Sequence, residues 1–523
     1  MKDHIHTLTA AMLRPEFYPD RPSHIEIRQT HISCVFLAAD HVYKIKKPLQ
    51  LPFLDYSTLS KRRYFCGEEV RLNRRLAPHT YLGVVAISRA HGTYLLDEMK
   101  SKGGRIVEYA VKMNRLPEEW MLSSLVERNA AEPIHVLDIA NKLVAFHEKT
   151  ASEKATIYGA PQAIARNVRD NFDETRRFIG HTISQTIFKT VQAYSEAFLT
   201  ERSALLESRV TERRVRDGHG DLRAEHICLV DNIEIYDCVE FNEGLRYSDV
   251  ASEVAFLSMD LDFAGAANLS DKFASAYAAA ARDDDLPALL PFYKCYRAYV
   301  RGKVDSLKSE EAEVNEHERR QASLRALQYF LLAMRYAKGT SRPKLFVVCG
   351  MAATGKSTVA RLLSARTGFP VFDSDHVRKQ LAGMSPTTRS GETYQGGIYS
   401  QEFTRRTYES LLEAAHDRLA SGEGAIIAAT FADAEFRRRA LERADRLHAP
   451  VIFVECRSDE DTIKQRLRQR ESDSNDASDA SWSIYQRMRD EFHQFSELPA
   501  QRHFVIDTDR GLLSDLAALE ETI

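Results

Sequence analysis

The sequence predicts two domains of different class: an α+β bilobal unit, sheet-rich and then helical, followed by an α/β unit built on a parallel sheet. Three observations carry this expectation. A chain of 523 residues exceeds the roughly 100 to 200 that one domain usually holds. Its first third is made of short strand-like runs around one helix and then turns helical to about residue 338. From Lys344 onward, apolar β-branched runs alternate with helical stretches, the pattern of a parallel sheet flanked by helices.

Taken in order, HIEIRQTHISCVFLAADHVYKIKKP places apolar residues in near alternation broken by AADH, which predicts a strand, a hairpin turn and a further strand. STLSKRRYFCGEEVRLNRRLAP has helical spacing, with Ser57 as cap, Phe65, Val70, Leu72 and Leu76 as an apolar stripe and Pro78 as the stop. YLGVVAIS and RIVEYAVKMN complete a small sheet and an N-lobe of about residues 1–116. The helical lobe, about 117–338, is interrupted by GHGDLRAEHIC at 218–228 and by the strand-like ICLV and IEIYDCVEF. The charged helix KSEEAEVNEHERRQASLRALQYFLLAMRYAK ends at Gly339, GTSRP reads as a linker, and the first domain closes at 338 with the second running from 343 to 523. The second domain's strands are LFVVC, PVFD, AIIAAT, PVIFVEC and HFVIDT, and ESDSNDASDAS at 471–481 reads as a mobile loop.

Composition narrows the function classes. A 44% hydrophobic, 28% charged chain of net charge -3 lacks the basic field of a general nucleic-acid binder. The start, MKDHIHTLTAAMLRPEFYP, carries charges and a proline where a signal peptide needs an apolar run, and no stretch reaches 18 apolar residues. The expectation is a cytoplasmic protein without a membrane span. Cys34, Cys66, Cys228, Cys238, Cys295, Cys349 and Cys456 never form a CxxC pair and are read as buried small hydrophobes. Oligomeric state is left open.

Gly350 to Ser357 fits G-x-x-x-x-G-K-[ST] in full, between the strand KLFVVC and the helix KSTVARLLSART. The glycines let successive N–H groups face an anion. Ala352, Ala353, Thr354, Gly355 and Thr358 therefore join Gly350 as candidate nucleotide contacts, Lys356 reaches the terminal phosphates, and Ser357 offers a hydroxyl to magnesium. In FDSDHVRK, Asp373 and Asp375 end a strand where an open sheet binds its ligands. One carboxylate could hold magnesium while the other orients or deprotonates an acceptor hydroxyl; the competing reading makes Asp375 a helix cap. Arg466 and Arg470, one turn apart beside the polar loop, could close over a transferring phosphoryl group or form a solvated helix face.

The phosphate loop, the D-x-D pair and the arginine-bearing helix resemble the small P-loop kinases of the shikimate, gluconate and zeta-toxin type over roughly residues 343–523. That resemblance implies ATP and Mg2+, a lid at the polar loop, and Asp373, Asp375, Arg466 and Arg470 meeting metal and acceptor. AIIAATF ends in Thr430 rather than an aspartate, so the hhhhD run of motor ATPases is missing.

HGDLRAEHICL followed by IEIYDCVEFN resembles the catalytic segment of aminoglycoside and choline phosphotransferases, relatives of the protein kinases. The resemblance implies a protein-kinase-like fold in which Asp221 orients the acceptor hydroxyl and Asp237 holds metal. His226 stands where that family has a metal-binding Asn, a departure that makes it a candidate metal ligand of unusual type. Lys44 and Lys46 share one strand face where a phosphate-pairing lysine belongs, with Glu68 or Glu69 as partner and Lys44 with Glu69 preferred. AVKMNRLP, with Met113, resembles the hinge beside adenine, and Asp249 in RYSDVASEV the brace of the catalytic loop. A zinc site at His219 and His226 lacks a third ligand at suitable spacing. The whole arrangement resembles bacterial bifunctional aminoglycoside phosphotransferase/ATP-binding proteins.

Two unrelated phosphate-handling stretches imply two transfer steps, or one transfer and one sensing step. The leading expectation is a tandem ATP-dependent kinase acting on the hydroxyl of a small metabolite such as a sugar or aminosugar. The alternative makes the first domain a pseudokinase regulating a toxin-like P-loop domain, and a polynucleotide 5′-hydroxyl stays open as acceptor for that P-loop half.

Overall fold

The computed structural model describes residues 2–51, 54–96, 104–312, 314–339, 341–385, 396–472 and 481–520. By contacts the chain divides into two compact units, Met1–Asn167 with Phe198–Arg297, and Val168–Ala197 with Ala298–Ile523. This division runs differently from the linker suggested at 339–343. The helix Glu316–Lys338 packs along the helix Lys356–Thr367, and Glu520 meets both Arg366 at 2.8 Å and Lys338 at 4.0 Å. Those contacts join the residues before the linker to the parallel sheet that follows it.

In the first unit a six-stranded antiparallel sheet runs Ile25–Gln29, Ser33–Ala38, His41–Lys46, Arg105–Asn114, Tyr81–Ala90, Thr93–Leu96 in spatial order. The stretch expected to form two strands forms three. Thr30 Oγ1 accepts the Ser33 amide at 3.0 Å, closing a turn at THIS, before the expected hairpin at Ala39–Asp40. The helix Leu59–Asn73 is capped by Thr58, not Ser57, because Ser57 Oγ instead donates to Asp55 at 2.6 Å. Alternation puts Phe36, Ile45 and Ala110 into one buried layer and Val42, Val111 and Met113 into another beneath that helix.

The rest of this unit is helical. Pro133–Lys149 packs on Ala267–Ala281, and Val250–Phe263 is buried almost all round, as its run of apolar residues requires. Between the short strands Val215–Asp217 and Ile227–Cys228 the GHGDLRAEH segment forms a tight loop.

The second unit holds a five-stranded, wholly parallel sheet in the order Val371–Asp373, Ala425–Ala428, Leu345–Cys349, Val451–Arg457, His503–Asp507. All five expected strands are present. Leu345, Val347, Ile427 and Phe453 face a core completed by Leu411, Leu412 and Ala440. The central strand Leu345–Cys349 is fully buried and delivers the chain into the loop at 350–355. Of the polar loop at 471–481, residues 473–480 lie outside the described residues. All seven cysteines are buried and unpaired. Among the described residues no helix is long and apolar enough to cross a membrane.

Candidate active sites

In the second unit the loop after the central strand turns through three residues of positive φ: Gly350 (132°), Ala353 (61°) and Gly355 (93°). A Cβ on Gly350 would lie 2.5 Å from the Cys456 carbonyl oxygen, so only glycine fits this turn as built. The loop is held from outside. Thr508 Oγ1 donates to the Thr354 carbonyl at 2.8 Å, and Thr354 Oγ1 donates to that of Met351 at 2.8 Å. Lys356 Nζ donates to the Met351 carbonyl at 2.8 Å, which lays the side chain across the loop. Burial lowers the affinity of that ammonium for its proton, opposed by Cys456, Asp375 and Asp373. Ser357 is exposed in the first turn of the following helix, with Thr358 half-buried beside it.

Asp373 and Asp375 do not share a strand face. Asp373 ends the strand and caps the helix Ser374–Leu381, its Oδ1 accepting the Asp375 amide at 2.9 Å and the His376 amide at 3.3 Å. The capping role weighed for Asp375 therefore falls to Asp373. Asp375 sits in the first helical turn, its carboxyl raised above the ordinary range by burial and then by the charge of Asp373.

Arg466 is a brace of the loop: Nη1 donates to the Ala353 carbonyl at 3.1 Å and to Thr508 Oγ1 at 3.1 Å, and Nη2 pairs with Asp509 at 2.8 Å. Arg470 lies one turn further on, and its charge acts on both Lys356 and Arg466. Thr508 and Asp509 were missed in the sequence. Their signal was available, since they follow a strand at the carboxyl edge of the sheet.

This arrangement fits a nucleotide and a magnesium ion. Gly350 lets the loop turn tightly against Cys456, the loop leads into a helix N-terminus, and Ser357 and Asp373 supply hard oxygen donors.

In the first unit, Lys44 Nζ lies 2.9 Å from Glu69 Oε1 and 2.6 Å from Asp237 Oδ1. Lys46, fully buried, pairs with Glu69 Oε2 at 2.6 Å and with Glu240, which also takes the Tyr56 hydroxyl. Glu68 instead pairs with Arg71 on the surface. Asp237 has a φ of 62°, and although burial opposes it, Lys44 and then His226 hold its carboxyl well below the ordinary range. Met113 packs its side chain into the apolar layer with Val42 and Tyr81.

Asp221 is clasped by Arg223, Nε to Oδ1 at 3.1 Å and Nη2 to Oδ2 at 3.0 Å. His226 Nδ1 donates to the Asp221 carbonyl at 2.9 Å, and Nε2 accepts from Arg223 Nη2 at 3.3 Å. Both imidazole nitrogens are engaged within the protein, so His226 does not fit a magnesium ligand, whereas the carboxylate of Asp237 does. Among the described residues no group of three or more His, Cys, Asp or Glu is arranged to hold a metal ion.

The loop brace is Glu253, not Asp249. Glu253 accepts the amides of His219 and of Gly220 (2.5 Å) and meets His147 Nε2 at 2.7 Å. Asp249 caps its own helix and pairs with the buried Arg209, which also meets Asp283. His219 Nε2 donates to the Tyr236 carbonyl at 2.8 Å while Nδ1 accepts the Asp221 amide at 3.3 Å. Those partners fix a neutral ring, in keeping with burial lowering its proton affinity.

Residues 345–495 match the sequence profile of a family described as an AAA domain. An uncharacterized protein of Mycobacterium tuberculosis is 31% identical over 457 residues, covering 87% of this chain and 88% of that protein. A shikimate kinase of Zymomonas mobilis is 30% identical over 128 residues, 24% of this chain and 63% of the kinase. A solved gluconokinase from Sinorhizobium meliloti aligns with 19% identity and a TM-score of 0.25, over 35% of this chain and 96% of that one.

Proposed function

Given that the chain belongs to the same family as the Mycobacterium tuberculosis protein, we propose that it is an ATP-dependent phosphotransferase whose second unit transfers a γ-phosphoryl group to the hydroxyl of a small metabolite. The parallel-sheet unit is a P-loop fold of kinase type. The observation that carries the reading is the juxtaposition of Lys356, lying across the 350–355 loop, with Asp375, a carboxylate of raised proton affinity on the neighbouring strand's helix. Asp375 takes the proton of the acceptor hydroxyl as that oxygen bonds the γ-phosphorus and ADP leaves. Lys356 and Arg470 offset the charge on the phosphoryl oxygens, and Arg466 keeps the loop in shape through Ala353 and Asp509. Ser357 and Asp373 would hold magnesium, which supplies charge neutralisation between the phosphates when bound.

For the first unit we propose an aminoglycoside-phosphotransferase-like architecture, supported by the order of Lys44, Glu69, Asp221 and Asp237 around one point. A regulatory, non-transferring role competes with a second transfer there. It is favoured by the Arg223 clasp, which occupies both carboxylate oxygens of Asp221, and by the engagement of both His226 nitrogens.

Labelled-phosphate transfer from ATP by the full-length protein and its Asp221→Asn and Lys356→Ala variants separates these readings. Lys356→Ala is expected to lower turnover by at least about 100-fold, the scale of one lost charge contact at a transferring group. If Asp221→Asn leaves turnover intact, the first unit is regulatory; if it removes a distinct product, both units transfer. Full turnover in Lys356→Ala refutes the assignment. Binding to RNA or DNA that falls steeply with salt would replace the small acceptor by a polynucleotide.

A further inference from the structure

The helix that begins at Asp373 carries an arginine whose surroundings are unlike those of a structural ion pair. Arg378 is one turn beyond Asp375 on the same helix face, and only 7% exposed. Its Nη1 donates to the Ile398 carbonyl at 2.7 Å and to Thr404 Oγ1 at 3.1 Å, and its guanidinium lies 4.9 Å from the centre of the Tyr399 ring. Nε is buried without a hydrogen-bond partner. Among the described residues no carboxylate lies within ion-pair distance of Arg378, whereas the buried Arg62, Arg209 and Arg366 each meet one; Arg297 also lacks one, but its Nε bonds the carbonyl and hydroxyl of Ser252.

A guanidinium taken out of water without a counter-charge costs several kcal/mol, and an unpartnered Nε adds to that cost; a bound anion would offset both. Two of its bonds are made to one nitrogen, which fixes the plane and leaves Nε as a buried donor without an acceptor. Asp375 stands one turn before Arg378 on the same helix face. Arg378 and the proton-accepting carboxylate thus serve one locality, on the side of the acceptor hydroxyl.

We propose that Arg378 is a specificity-determining residue that binds an anionic group, carboxylate or phosphate, on the acceptor of the P-loop unit. The acceptor class is then a hydroxylated acid or a sugar phosphate, and neutral sugars and aminosugars are poor acceptors. This rests on the transfer reading above and narrows it.

The test uses the full-length protein, labelled ATP, and a small-molecule extract divided by ion exchange into anionic, neutral and cationic pools. Wild-type protein is expected to label a product only from the anionic pool. Arg378→Gln is expected to raise the amount of that pool needed for half-maximal labelling at least about tenfold, the scale of one charge-assisted contact. Its slow hydrolysis of ATP without acceptor stays at the wild-type rate, which a merely structural loss would not allow, and Arg378→Lys recovers part of the labelling. Pretreating the pool with a phosphomonoesterase separates the two sources: lost labelling marks a phosphate, retained labelling a carboxylate. Acceptors found in the neutral or cationic pool, or unchanged half-saturation in Arg378→Gln, overturn the proposal and leave the transfer reading standing. Labelling from no pool overturns the transfer reading and this inference with it.

Discussion

Replacing Gly350 by alanine tests whether the 350–355 loop is the working part of the second unit. The new Cβ would stand 2.5 Å from the Cys456 carbonyl oxygen, where a carbon and an oxygen normally keep about 3.3 Å, so about 0.8 Å must be found. That carbonyl belongs to a strand held between two parallel neighbours and does not yield readily, so the loop moves. Positive φ at a non-glycine residue costs about 1–3 kcal/mol, and the collision adds about 1–3 kcal/mol. A total of about 2–6 kcal/mol is within the usual stability of a domain, so the unit folds with a displaced loop. An amide drawn back by about 0.8 Å no longer bonds a phosphate oxygen, and one such charge-assisted bond is worth about 1.5–3 kcal/mol. ATP affinity, read by calorimetry, should therefore fall at least about tenfold, and the unit's melting temperature should drop by about 2–4 °C per kcal/mol lost. Gly422→Ala is the matched control: its φ is 76° but nothing lies within 4 Å of the new carbon, so it bears the backbone cost alone and binds ATP normally. Wild-type affinity and melting in Gly350→Ala would refute the claim that this close approach shapes the cradle.

Two further outcomes follow from the first unit. Lys46→Met should destabilise the unit by about 3–5 kcal/mol by stranding the buried Glu240, whereas Lys44→Met should cost less, because Glu69 keeps Lys46 and Asp237 is 40% exposed, and on the proposed phosphotransferase-like reading it should weaken nucleotide binding; thermal melting and nucleotide titration of both variants distinguish the two. Glu253 has its carboxyl pushed down to about 2, since the hydrogen bonds from His147 and the Gly220 amide outweigh burial, so it contributes stability that is full above its ordinary value of 4.5 and is lost as pH falls toward 2. Denaturant melts of wild type between pH 5 and pH 2 should show this loss, about 3 kcal/mol for a shift of that size, and Glu253→Gln should start less stable and show a flatter acid limb.

How much of this was legible in the sequence depended on whether the signal was local. The five parallel strands and the loop between Leu345–Cys349 and Lys356–Thr367 were legible because apolar runs and a contiguous glycine motif need no knowledge of distant residues. Arg466 was found as a cation beside a phosphate loop, but its bonds to Ala353 and Asp509 cross 113 and 43 positions in the chain, so a brace read as a clamp. The brace of the HGD loop was placed at Asp249 and lies one turn later at Glu253, since which carboxylate of a buried helix faces a loop is decided by helix rotation against neighbours. Choosing Lys44 over Lys46 from a shared strand face was beyond periodicity, because both reach Glu69 and only depth separates them. The domain boundary followed a linker that composition shows well, yet contacts grouped the helix before it with the sheet after it, a tertiary preference that no local pattern encodes.

The two sites differ in how their charges are already spent within the protein, and that difference bears on how readily each would admit a phosphate. In the first unit Lys44 is committed to Glu69 and Asp237, Arg223 to Asp221 and Glu225, and Lys46 to Glu69 and Glu240. A phosphate entering there must displace existing ion pairs, and its apparent affinity is reduced by whatever fraction of molecules has those pairs open. In the second unit Lys356 bonds a backbone carbonyl, and among the described residues neither it nor Arg378 has a carboxylate at ion-pair distance. Anionic ligands replace weaker partners there and satisfy charges that the fold leaves uncompensated. On the proposed reading in which both units take ATP, the P-loop unit fills first when ATP is limiting, and a first unit that binds only when ATP is abundant has the physical properties of a sensor as readily as those of a second catalyst.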